Sequence, residues 1–139
     1  MAWPHPGSLK VRLVVYCVII AGILTVLFLR VRYEQARARD LQRIADALII
    51  RGAFERMYLH DRGYAAAADH GCDKTGVSIR LCNLRTYYRE INELVDPGKR
   101  EYVVTQVPSA TNYEVTFQLE LDHPGLVKGR HTITADGIR

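Results

Sequence analysis

Cys72 and Cys82 stand ten residues apart in a stretch with no helical or strand period, and His60 and His70 lie just upstream. Side chains of these types support three chemistries. In an oxidising compartment the two thiols close a disulfide, and in a reducing one they remain a pair of partly buried thiols. Thiolate and imidazole together also suit zinc, although no Cys-x-x-Cys spacing marks such a site. The disulfide is the expected state for a domain outside the cytosol, and on the residues alone the three readings stay open. Cys17 lies inside an apolar run and reads as a small apolar filler. Nothing else is spaced for catalysis: the chain has no Gly-rich phosphate loop, no Gly-x-Ser-x-Gly elbow and no locally paired carboxylates. His123 and His131 fall beside expected strand ends, where surface histidines are common, and Tyr87 and Tyr88 are expected to pack on the sheet or a loop. The reading is of a chain that is not an enzyme, with no catalytic residue, cofactor or resident metal.

What must position the cysteine loop begins in a membrane. Leu13 to Leu29 is a run of seventeen uncharged, mostly apolar residues, flanked by Lys10 and Arg12 on one side and Arg30 and Arg32 on the other. A helix rises about 1.5 Å per residue, so the run covers about 26 Å. The four basic side chains can snorkel to the interfaces and complete a roughly 30 Å hydrocarbon core. A cleavable signal would end in small residues, whereas this run ends in Leu27, Phe28, Leu29 and arginines, so retention as a single-pass anchor is expected. Two of the 19 basic residues precede the run, and the remainder nearly balance the 15 acidic ones. Arg30, Arg32, Arg37, Arg39 and Arg43 form the one basic cluster, which suits lipid headgroups better than nucleic acid. The bilayer is therefore the expected first partner, and nucleic acid is not a primary one.

The chain divides into a tail (1–12), a span (13–29) and one domain (30–139). No helix breaker except Gly52 interrupts residues 30–60, and apolar residues at 41, 44, 45, 48 and 49 follow an amphipathic stripe. Ile50, Ala53, Phe54 and Met57 point to the other side, so the last turns are expected to be enclosed on both faces. Asp61-Arg62-Gly63 ends the helix, with Gly63 as the left-handed cap. Residues 61–82 read as a loop. A short helix is expected over 84–95, capped by Asn83, carrying an Arg89–Glu93 pair and stopped by Asp96-Pro97-Gly98. The period then changes to two: Tyr113, Val115, Phe117, Leu119 and Leu121 alternate with polar residues over 113–121, flanked by strands at 101–107 and 130–135. The fold class is α+β, a long N-terminal helix, transmembrane and then amphipathic, packed on a small three-stranded antiparallel sheet.

This organisation resembles the type IV pilin and type II secretion pseudopilin superfamily. Tyr58-Leu59-His60-Asp61-Arg62-Gly63-Tyr64 resembles the family's tyrosine-rich helix end, and Asp96-Pro97 the Asp-Pro before its sheet. Tyr113 to Glu120 followed by Gly129 to Gly137 resembles its closing strands. The likeness covers most of residues 13–139 through short, degenerate motifs. It implies a pilin-like fold and a structural or accessory role in a pilus or secretion pseudopilus, with the long helix packing on like helices. One departure stands out: prepilins carry a cleavage glycine and a glutamate five residues after the cut, whereas here Gly7 is followed by Ser8, Leu9, Lys10, Val11 and Arg12. Cys72-Asp-Lys-Thr-Gly76 echoes the phosphorylation motif of P-type ATPases, but the continuation differs and the chain is too short for that enzyme's domains.

Orientation rests on opposed signals. The arginines after the span favour a cytosolic domain by the positive-inside rule. The resemblance and the cysteine pair favour an outer one. The expectation is an inner or plasma membrane protein with the amino terminus inside and the domain outside. Its alternative is an anchored, non-assembling binding module, and a cytosol-facing regulatory domain follows only if the orientation reverses.

Overall fold

The computed structural model describes residues 9–139, with side chains from Val11 onward. The Gly7-Ser8 junction and the side chain of Lys10 lie outside the described residues. The fold is α+β, and the chain falls into two compact units, residues 1–35 and 36–139. Helix α1, Leu9–Asp61, contributes to both. In the first unit every described side chain from Val11 to Gln35 is exposed. This segment is long and apolar enough to cross a membrane, and an all-round apolar surface is what lipid, and not water, tolerates.

In the second unit α1 buries a stripe of Ala36, Asp40, Arg43, Ala47, Ile50, Phe54 and Met57. Steps of four and three keep these residues on one face. The expected stripe at Leu41 and Leu48 does not enter the core: those residues are 54% and 55% exposed. A hydrophobicity scan passes over the buried stripe because two of its first three members are charged. The expectation of enclosure on both faces is therefore corrected to burial on one. The helix end is also corrected. Arg62, at φ 57°, is the left-handed residue and donates its N–H to Tyr58 O. Gly63 is needed for space, since a Cβ there would sit 3.0 Å from Ala110 O.

Four antiparallel strands follow, β1 (Val103–Gln106), β2 (Glu114–Leu119), β3 (Gly129–Thr134) and β4 (Gly137–Ile138), in the order β1-β2-β3-β4. The expected three-stranded sheet gains β4 because Ala135-Asp136 turns the chain back on β3, with Gly137 at φ 139° opening the new strand. On the inner face Val115 pairs with Ile133 and Phe117 with His131. Phe54 stacks on Tyr113 with ring centroids 3.9 Å apart, joining α1 to the sheet. The free edge of β1 is covered by Val77 to Ile79, which exchange main-chain hydrogen bonds with Tyr102 and Val104.

The expected helix over 84–95 is absent. Its residues form successive tight turns, with one 3-10 turn at Ile91–Glu93, and no Arg89–Glu93 ion pair forms among the described residues. Thr86, Tyr87 and Tyr88 are poor helix formers, and a helix this short is marginal without help. Asn83 does not cap it; its N–H goes to His70 O. Asn92 instead ties the segment to the cysteine loop by donating to Arg80 O and Cys82 O. That loop holds two short elements of its own, α2 (Ala66–Asp69) and a 3-10 turn at Ile79–Leu81.

Candidate functional site

The charged part of the α1 stripe builds the densest polar arrangement in the domain. The fully buried Arg43 guanidinium donates through Nε and Nη2 to the two carboxylate oxygens of Asp96, a two-bond fork. Its Nη1 donates to Asp40 at 2.8 Å and to Glu120 at 2.8 Å. One arginine thereby joins its own helix, the turn before β1 and the end of β2. Asp96 accepts further bonds from the N–H groups of Gly98 and Arg100, so the Asp-Pro-Gly segment is a turn wrapped round a carboxylate. Gly98 is forced by proximity, because an added Cβ would collide with Arg43 Nη2. Asp40 in turn accepts from the N–H groups of Glu120 and Leu121 and from His123 Nε2.

The electrostatics follow from these bonds. Glu120 is pulled down to about 2, first by the hydrogen bond from Arg39 and then, against partial burial, by Arg43. Burial works upward on Asp40 and Asp96, yet both end below the usual carboxylate range. Main-chain N–H groups, Arg43 and, for Asp40, His123 outweigh it. Asp46 moves the other way, raised by burial against the bond it accepts from Tyr102 at 2.6 Å. Arg43 and Asp40 are fully enclosed, and the chemistry of the cluster is that of a clamp.

Cys72 and Cys82 are joined in a disulfide, both fully buried. The thiolates of the zinc alternative are thereby used up, and among the described residues no group of three or more His, Cys, Asp or Glu side chains is arranged to hold a metal. His60 Nδ1 donates to Asp61, and Asp61 also accepts the Tyr87 hydroxyl, which raises that phenol to about 12. Tyr88 lies under the Arg56 guanidinium at 5.2 Å, so both tyrosines dock on the end of α1. The two histidines read as surface residues are mostly covered. His131 is buried on β3 with Nε2 donating to Val127 O at 2.6 Å, and His123 reaches Asp40 at 3.3 Å. Of the expected interfacial bases, Arg12, Arg30 and Arg32 are exposed in the first unit, with Arg32 over the Phe28 ring at 4.9 Å.

No protein-family model, curated protein or solved structure matches this chain.

Two surfaces of the domain remain without internal partners. The first is the outward face of α1, where Leu41, Ala45, Leu48 and Leu59 are exposed around a half-buried Gly52. At 100° per residue these five lie within one narrow sector. The second is a pair of adjoining depressions over the outer side of β2, sharing Arg100 and Gln118. The hydropathy pattern carries the first stripe but assigns it to the core. The second is invisible in the sequence, because its cations come from separate loops and strands.

Proposed function

We propose that this chain is a membrane-anchored, pilin-like or pseudopilin-like structural or accessory subunit of a type IV pilus or type II secretion system. In this reading the span holds it in the inner or plasma membrane, with the amino terminus inside and the domain outside. The observation that carries the reading is the outward face of α1 in the folded domain. Leu41 and Leu48, half exposed, and Leu59, 82% exposed, form a helical stripe with the small residues Ala45 and Gly52. A monomeric domain gains nothing from such a stripe, whereas a second helix packs on it, with the small residues allowing close approach. The disulfide supports an oxidising compartment for the domain. The motifs around Tyr58 to Tyr64 and Asp96-Pro97 support the family assignment.

Leu48→Cys in a Cys17→Ala background tests it in membranes of the producing cell. Oxidation is expected to give cross-linked species at Leu48, and none when the cysteine is placed at Thr111 instead. Leu48→Glu is expected to abolish association while changing domain stability by less than about 0.5 kcal/mol, as for other exposed positions. A monomer at every cysteine position would overturn the assembly reading.

The second reading, an anchored binding module that does not assemble, is favoured by Arg12, a cation where prepilins carry their glutamate. A mature chain beginning at Met1 supports it, and one beginning at Ser8 supports filament entry. An impermeant thiol reagent decides the orientation: labelling of the exposed Thr111→Cys in a Cys17→Ala background in intact cells places the domain outside.

A further inference from the structure

We infer that the sheet carries its own docking surface for anionic lipid headgroups, made by Arg100, Lys128 and Arg130 with Val127 at its rim. The inference rests on the anchoring part of the proposed function and not on assembly. Arg100 and Arg130 line one depression, with Thr116 and Gln118 between them; Arg100 and Lys128 line its neighbour. All three cations are exposed, and among the described residues none has a carboxylate partner. The acidic groups lining the same hollows are Asp96, Glu101 and Glu120. Asp96 is held by Arg43, and Glu120 by Arg39 and Arg43, so the three cations are opposed by Glu101 and by Asp122, whose carboxylate accepts the Lys128 N–H. The hollows thus present unspent positive charge beside the amide of Gln118, a donor that suits phosphate oxygens.

Position selects the source of the phosphate. The second hollow is floored by Ala36. Ala36 follows Arg30, the basic end of the apolar span, by six residues, so chain length alone keeps it within about 22 Å of the bilayer surface. The loop carrying Lys128 also exposes Val127, at 70%, next to that lysine. An exposed apolar side chain beside a base suits entry into a headgroup layer, where each Lys or Arg adds attraction within a Debye length.

The test uses the full chain reconstituted into vesicles of phosphatidylcholine, with or without phosphatidylglycerol. A fluorophore is placed on Val127→Cys in a Cys17→Ala background, headgroup-labelled quencher lipid is added, and Thr111→Cys serves as the distal control. Quenching at Val127 is expected to need phosphatidylglycerol, to fall in molar salt and to drop roughly fivefold in docked-to-free ratio for each of the three cations changed to glutamine. Arg100→Lys with Arg130→Lys, which keeps the charge, is expected to retain it. Equal quenching in both vesicle types, or indifference to the triple glutamine variant when its melting is unchanged, overturns the inference. Specific release by millimolar inorganic phosphate, beyond chloride at equal ionic strength, also overturns it and makes the hollow a soluble-anion site. Failure of the chain to float with vesicles after alkaline washing sinks the anchoring reading, whereas flat quenching of a floating chain sinks this inference alone.

Discussion

At the scale of single residues, the domain is organised by a side chain that no hydrophobicity rule selects. Arg43 is fully buried, and three carboxylates depend on it. Removing one partner of a buried pair leaves the opposite charge buried without its counter-ion, here above all Asp96, which outweighs what the pair itself contributes. Arg43→Met is therefore expected to destabilise the domain by about 3 to 5 kcal/mol. Arg43→Lys keeps the charge but cannot form the two-bond fork to Asp96, and should lose a substantial part of that. Arg39, about one-third exposed where it meets Glu120, is the internal contrast: Arg39→Ala is expected to change stability by no more than about 1 kcal/mol. Urea midpoints of the full chain in one detergent, followed by near-ultraviolet dichroism of the buried Tyr102 and Tyr113, rank the three. If Arg39→Ala proved the most damaging, the clamp would be misassigned.

At the scale of elements, legibility tracked how local the cause was. The long apolar helix, the alternation of Tyr113 to Leu119 and the position of β3 are each written in one contiguous pattern, and each appears in the fold. The second half of α1 is helical as expected, and its buried face is legible at Ile50, Ala53, Phe54 and Met57 but not at Asp40 and Arg43. The pairing of Arg43 with Asp96 spans 53 positions, and only that pairing makes a charged stripe buriable. The segment 84–95 failed for a related reason, since Asn92 spends its side chain on carbonyls of the cysteine loop and holds the turns tight. The disulfide was one of three open readings, and the fold decides it. The bridge closes a loop of ten residues' separation and supports the Ser78–Val103 contact on the β1 edge. By loop closure its removal in Cys72→Ser/Cys82→Ser is expected to cost about 2 to 3 kcal/mol. Hydrogen exchange should then rise over 72–82 and at the β1 edge before the β2–β3 pairing loosens. Unchanged exchange at β1 would mean that the loop is not what guards that edge.

At the scale of the whole molecule, the same buried charges set the range of pH in which the domain holds together. Glu120, Asp40 and Asp96 all sit below their ordinary values in the fold. A carboxylate held low stabilises the folded state above its unfolded pKa, near 4, and that contribution disappears as pH falls toward the folded value. Asp46 works in the opposite sense, because its raised value means that protonation relieves the folded state. Three groups against one make acid destabilising on balance, with the loss starting near pH 5 and continuing toward pH 2, where Glu120 protonates. Tyr102 and Tyr113 close the window from above. Burial raises both phenols, so the stability they carry is present below the ordinary tyrosine value near 10 and is lost as pH rises beyond it. Urea midpoints across this range are expected to form a plateau near neutrality with an acid shoulder. Arg43→Met should shrink that shoulder, because Asp96 and Asp40 lose their guanidinium partner, whereas Glu120 keeps Arg39. A wild-type midpoint that rises between pH 5 and pH 3 would show that Asp46, and not the clamp, governs the acid response.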